Sequence, residues 1–321
     1  LDLFETALLE GRELGLSCAK LTGGEPLLHP QIRDILEIIR RERLDLIVET
    51  NGMLCSDEIV ALIAKCTNPF VSISVDGACA ETHDWVRRVP GSFERALEAV
   101  QRLSGAGVVT QIVMSVMRRN AGEVASLVGL AEELGARSVK LNIIQPTARG
   151  ESLYSGAEAL SVEEVLALGH HIESDVAPGT SVDIHFDYPV AFRPLSRIVD
   201  GGESRRCGIL GILGVLANGD YALCGIGSQV PELVFGKVGR EPLPKVWSED
   251  KTLRELREGL PKRIEGICGE CLMNAFCLGS CVAQNYYRTK RLFAPYWFCE
   301  QADQQGLFPE TRRRTPNRGS R

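Results

Sequence analysis

Short runs rich in β-branched residues alternate with amphipathic stretches over residues 17–144, and this alternation restricts the fold more than any other feature of the chain. The strand candidates are residues 17–21, 45–50, 71–75, 108–116 and 138–144. Between them, residues 31–43, 57–65, 91–106 and 120–134 carry apolar side chains at three- and four-residue spacing with a polar outer face, the pattern of helices packed on one side. Repeated strand–helix units build a parallel sheet, closed as a barrel or open and doubly wound, and in both forms ligands bind at the carboxyl ends of the strands. A helix at 161–175, opened by the box-like pair Ser161 and Glu164, and a sixth strand at 182–186 continue the pattern. Beyond about Gly201 the chain changes to cysteines, glycines and short elements. There, residues 212–217 and 221–224 flank Asn218-Gly219-Asp220 and read as a β-hairpin. The boundary between the two regions is placed within 188–206.

A length of 321 residues is enough for about two domains. The net charge of -6 argues against a general nucleic-acid binder. No apolar run approaches the ~18 residues that a membrane helix needs. Arg312, Arg313, Arg314, Arg318 and Arg321 crowd the C-terminus, and 306–321 is read as a disordered basic tail. Of the 11 cysteines, Cys18, Cys55, Cys66 and Cys79 are scattered singly and read as small buried hydrophobes. The others, Cys207, Cys224, Cys268, Cys271, Cys277, Cys281 and Cys299, cluster in the C-terminal region and point to a metal module. A disulfide framework belongs to small secreted domains, and without a signal-peptide pattern a reducing cytoplasm fits this chain better. In Cys268-x2-Cys271-x5-Cys277-x3-Cys281 the spacings let a short turn direct two sulfurs at one centre. On spacing alone, zinc and iron–sulfur chemistry both stay open.

The remaining motifs fall just after strands. Thr22-Gly23-Gly24-Glu25-Pro26 follows the first: paired glycines let the backbone approach a ligand, Glu25 offers a carboxylate to an amine, and Pro26 stiffens the exit. Thr50-Asn51-Gly52 ends the second strand. Ser72-Ile73-Ser74-Val75-Asp76-Gly77 ends the third, followed by His83-Asp84, Arg87 and Gly91-Ser92-Phe93. Gln145-Pro146-Thr147-Ala148-Arg149-Gly150 closes the fifth. Singly, each also reads as loop geometry, strand alternation or a solvated helix face.

Together and in this order, these strings resemble the radical S-adenosylmethionine (SAM) superfamily, and the cysteine frame is similar to its SPASM auxiliary-cluster domain. The resemblance implies an α/β fold: a partial (β/α)6-type radical SAM barrel over 1–190 lacking its first strand, a linker over 191–206, and a small cysteine-rich SPASM domain over 207–305. It implies SAM bound at Gly23, Gly24, Glu25 and Pro26, with Ser74 touching ribose or methionine and Arg87 the methionine carboxylate. It further implies two 4Fe-4S clusters. Cys268, Cys271, Cys277 and Cys299 would ligate the outer one, and Cys207, Cys224 and Cys281 the inner one. The fourth inner position would fall to a residue such as Asp200 or Glu203, or to an iron open to substrate.

The Cys-x3-Cys-x2-Cys loop that binds the SAM-cleaving cluster in the superfamily does not occur in this sequence. Residues 2–13 resemble the helix that follows the missing strand, so the chain is read as truncated before that loop and, by itself, unable to initiate radical chemistry. With the loop restored, the resemblance implies cleavage of SAM to a 5′-deoxyadenosyl radical that abstracts a substrate hydrogen. The implied partners are a precursor peptide or protein substrate and a reductant such as flavodoxin or ferredoxin, with no nucleic acid and no membrane. A non-catalytic pseudo-enzyme relaying electrons or binding peptide is the alternative, followed by a zinc-stabilised adaptor. An anaerobic sulfatase maturase is disfavoured because Gly225-Ile226, not aspartate, follows Cys224. Asp187, Tyr188, Asp220 and Tyr221 are acid–base candidates, and none is singled out as the base.

Overall fold

The computed structural model describes residues 1–147, 150–195, 198 and 207–314. It divides into two compact units, Leu1–Leu160 with Ala167–Asp187, and Ser161–Leu166 with Tyr188–Arg321.

The first unit is built on a six-stranded parallel sheet whose strands lie in chain order: β1 (Cys18–Leu21), β2 (Asp45–Thr50), β3 (Thr67–Ser74), β4 (Val109–Val116), β5 (Ser138–Ile143) and β6 (Asp183–Phe186). Helices α1 (Asp2–Glu13), α2 (Ile32–Arg41), α3 (Asp57–Ala64), α4 (Ala80–Arg87), α5 (Ser92–Gly105) and α6 (Val124–Glu133) fall before and between these strands. Helix α7 (Gly150–Ser155) and α8 (Val162–His171) precede β6. Leu46, Val48, Val71, Ile73, Ile112, Met114, Val139 and Leu141 are fully buried, and with period two they define one apolar face of the sheet. The alternating positions Glu49, Ser72, Gln111 and Ser138 make the other face polar, and the strand register places them side by side. Ser72 Oγ donates to Gln111 Oε1 (3.4 Å), and Gln111 Nε2 donates to Ser138 Oγ (2.9 Å).

In the first unit β3, α4 and α7 differ from the sequence reading, α7 being a helix that the sequence reading lacked. β3 begins at Thr67, because Asn68 and Pro69 are absorbed where the register with β2 shifts between Asp45 and Ile47. Helix α4 is an addition: it buries only Thr82 and His83, so its apolar periodicity is weak. The Ser161–Glu164 box forms as read, with Ser161 Oγ accepting from the Glu164 amide (3.2 Å) and Glu164 Oε2 accepting from the Ser161 amide (2.7 Å).

The second unit holds a small antiparallel sheet, β7 (Gly214–Val215), β8 (Asp220–Ala222) and β9 (Val234–Lys237). The β7–β8 hairpin turns at Gly219, whose φ of +86° is open to glycine. Short helices follow: α9 (Leu243–Glu249), α10 (Lys251–Gly259), α11 (Gly266–Glu270), α12 (Asn274–Cys277), α13 (Val282–Thr289) and α14 (Trp297–Gln304). Phe192 packs edge-on against Phe298 and Phe308, with ring centroids 5.5 and 5.7 Å away. The stretch 306–314 corrects the tail expectation, because it is packed. Arg312 is buried with Nε donating to the Ala191 carbonyl (3.3 Å), and the Arg314 amide donates to the Glu270 carbonyl (2.7 Å). Residues 315–321, and most of the expected linker including Asp200 and Glu203, lie outside the described residues. Among the described residues no helix is long and apolar enough to cross a membrane.

Candidate active site and cluster sites

At the carboxyl end of β1 the chain turns through Gly23, with φ of +122°, and Gly24, and a Cβ at either position would meet nothing within 4 Å. The turn thus presents open backbone, as close approach of a ligand requires. Glu25 fixes it in place. Its Oε1 accepts from the Leu27 amide (3.1 Å) and the Thr50 hydroxyl (2.7 Å), while Oε2 accepts from the Asn51 amide (2.7 Å). Of roughly four lone-pair sites on a carboxylate, one is left for a ligand amine. Pro26 opens a single 3₁₀ turn that Glu25 caps. Beside it, Thr22 Oγ1 donates to Glu49 Oε2 (2.8 Å) and Lys20 Nζ pairs with Glu49 Oε1 (2.6 Å). These contacts with Lys20 and Thr22 keep the half-buried Glu49 carboxyl below its usual range against the cost of burial.

Ser74 ends β3 on the polar face, half-buried, and its hydroxyl makes no hydrogen bond among the described residues. Asp76, two residues on, is a junction buried to 2% exposure. Its Oδ1 accepts from the Ser115 amide (2.7 Å), its Oδ2 pairs with Arg87 Nη2 (2.7 Å), and its amide donates to His83 Nδ1 (3.0 Å). Burial, with the Arg87 cation beside it, holds the His83 pKa below its ordinary value. Arg87 therefore reaches the strand ends with one side of its guanidinium on Asp76, and its buried Nε has no partner among the described residues. That orphaned donor and the uncommitted Ser74 hydroxyl are groups to which a SAM carboxylate and ribose could bind. Asp84 does something else: it accepts from the Gly91 and Phe93 amides and the Ser92 hydroxyl, capping α5. Arg149, in the string after β5, lies outside the described residues.

In the second unit Cys268, Cys271, Cys277 and Cys299 line one pocket, together with Met273, Asn274 and Phe308. Backbone N–H groups point at the sulfurs, from Tyr296 to Cys268 (3.3 Å) and from Met273 to Cys271 (3.3 Å). The Cys299 thiol donates to Cys268, which holds the Cys268 pKa down and raises that of Cys299. Burial pushes the Cys277 thiol up to about 12. Cys281 is likewise pushed up to about 12 by burial, and Cys207 and Cys224 lie near enough to act on it electrostatically, as a second group of thiols. Among the described residues no three His, Cys, Asp or Glu side chains converge as they would around a single metal ion. Thiols spread around a pocket and met by backbone donors suit a cluster, in which each sulfur ligates its own iron. The scattered Cys55 and Cys66 are buried, whereas Cys79 is exposed. Tyr221 is fully buried and Asp220 is 3.4 Å from Lys237 in the hairpin, so both serve the small sheet.

Residues 2–131 match the radical SAM superfamily model, and 207–272 match that of the SPASM iron-sulfur cluster-binding domain. The chain is 30% identical over 291 residues to the AdoMet-dependent heme synthase of Methanosarcina barkeri, covering 87% of this chain and 81% of that one. It is 26% identical over 298 residues to the mycofactocin maturase MftC of Mycobacterium ulcerans, covering 87% and 73%. In fold it is similar to Streptococcus suis SuiB bound to S-adenosylmethionine, with a TM-score of 0.71 at 14% identity over 93% of this chain and 70% of that one. The chain belongs to the radical SAM superfamily, in the branch that carries a SPASM domain. Its cofactors are accordingly SAM and iron–sulfur clusters, and the SPASM match ends before Cys277, Cys281 and Cys299.

Proposed function

We propose that this chain is the SAM- and substrate-binding body of a peptide- or protein-modifying radical SAM/SPASM enzyme. The observation that carries this reading is the open Gly23-Gly24 turn braced by Glu25 on the end of β2, on a chain that also gathers two groups of thiols. Bound SAM supplies the hydrogen-abstracting radical once reduced by a cluster. Gly23, Gly24, Glu25 and Pro26 would hold its methionine end, Ser74 its ribose or methionine, and Arg87 its carboxylate. Glu25 and Thr50 keep the turn from moving, and Asp76 keeps Arg87 at the strand ends. Cys268, Cys271, Cys277 and Cys299 would ligate the outer cluster and Cys207, Cys224 and Cys281 the inner one. The similarity to a mycofactocin maturase supports the peptide substrate. The 30% identity to a heme synthase supports a second reading, in which the substrate is a tetrapyrrole. A flavodoxin or ferredoxin would supply electrons, and a reducing cytoplasm would keep the cluster-binding thiols available for iron.

Metal analysis after anaerobic reconstitution tests the cluster assignment. About eight iron per chain is expected, with about four lost in Cys268→Ala. Stoichiometric zinc with negligible iron would overturn it and restore the adaptor reading.

A further inference from the structure

On the polar face of the sheet one cation, Lys140, stands apart from the contacts that tie up its neighbours. Along the lower row of that face, Glu49, Ser72, Gln111 and Ser138 are tied to one another or to Lys20 and Thr22. One step toward the carboxyl ends, the register sets Ser74 beside Val113, Val113 beside Lys140, and Lys140 beside His185. Lys140 alternates with the fully buried Val139 and Leu141 of the apolar face, and so belongs to the same face as Ser74. Two strand spacings separate these positions, about 10 Å.

Lys140 is half-buried and makes no ion pair or hydrogen bond among the described residues. Its ammonium is near enough to Glu49 to help hold that carboxyl low, but the carboxylate oxygens are in contact with Lys20 and Thr22 instead. The next residue on this face of β5 is Asn142, about 7 Å further along. Asn142 Oδ1 is buried and has no hydrogen-bond partner among the described residues. The Lys140 ammonium and the Asn142 amide oxygen are thus two polar groups on one strand face that a ligand can complete.

We propose that Lys140 and Asn142 form a carboxylate-binding subsite for the substrate, on the sheet face that carries Ser74. The ammonium donates to the carboxylate as a charged partner, and the Asn142 amide, turned about its last bond, donates to the other oxygen. The subsite rests on the reading of this face as the SAM and substrate face. Its ligand chemistry is shared by a peptide carboxyl group and a heme propionate.

Calorimetric titration of the reconstituted chain separates these sources. The probes are heme against its dimethyl ester, and the peptide Gly-Ala-Gly-Ala-Phe with a free or an amidated carboxyl terminus. The acid form of at least one pair is expected to bind more tightly than its blocked form. Lys140→Ala is expected to weaken that form by about tenfold or more, Lys140→Arg by much less, and Asn142→Ala by an intermediate factor. Loss confined to heme identifies a tetrapyrrole carboxylate, and loss confined to the peptide identifies a peptide one. Equal binding of acid and blocked forms, no binding by the unmodified chain, or unchanged binding by Lys140→Ala would each overturn the subsite. Iron content measured on every sample keeps the parent reading separate: zinc in place of iron is a failure of that reading and not of Lys140.

Discussion

His83 is only 1% exposed, and its Nδ1 accepts a hydrogen bond from the Asp76 amide, which requires that nitrogen to be unprotonated. Burial and Arg87 lower its pKa from 6.5, against the opposing pull of Asp76, Asp84 and Glu94. In the unfolded chain the ring takes a proton as pH falls through about 6.5, whereas in the fold it resists until the lower folded value is reached. His83 therefore contributes nothing to the pH slope above that range. As pH falls from 6.5 to that lower value, stability falls by at most about 1.4 kcal/mol per pH unit, and below it the loss levels off. Urea unfolding at pH 7.5 and 5.5 should show a larger loss for the natural chain than for His83→Asn, whose amide oxygen can replace Nδ1 as acceptor. Equal losses would sink the assignment. At this scale the sequence is a partial guide. The strings around Glu25, Ser74 and Arg87 are visible because they are local. The bonds that hold Glu25 to Thr50 and Arg87 to Asp76 join residues that no spacing rule connects. Lys140 and Asn142 leave a weak trace, polar residues alternating with Val139, Leu141 and Ile143. The same trace is shared by any half-exposed strand.

Among the elements, the turn after β2 shows how tightly the sheet and its helices are joined. Gly52 has φ of +80°, and a Cβ there would lie 3.1 Å from the Ala96 Cα, 3.1 Å from the Ala99 Cβ and 3.2 Å from the Ile73 Cγ2. Gly52→Ala thus meets both a strained backbone and contact with β3 and α5, and should cost roughly 1–3 kcal/mol. A lowered urea midpoint with retained helical circular dichroism is the expected signature, and an unchanged midpoint would refute the packing argument. The strands and helices of the first unit were legible because each repeats a period of two or 3.6 over enough residues to be counted. Two helices of the second unit, α11 with five residues and α12 with four, are too short to express a period. What the two share is the pocket that Cys268, Cys271 and Cys277 line.

The molecule as a whole has two units, each with its own buried core, so it should unfold in two steps. Iron held by the cysteines stabilises only the unit that binds it, because ligand binding to the folded form raises that form's stability alone. Anaerobic removal of iron by a chelator should lower one thermal transition of the reconstituted chain and leave the other within about 2 °C. A parallel fall of both would show that the clusters support the sheet as well.

The order β1-β2-β3-β4-β5-β6 means that every strand pairs with the one made just before it. No strand has to wait for a distant segment to be inserted beside it. As the chain leaves the ribosome, the sheet can grow by one strand–helix unit at a time, with each new unit closing a loop of short separation. Synthesis itself sets the assembly order, and the seven clustered cysteines from Cys207 to Cys299 are translated only after all six of these strands have been made.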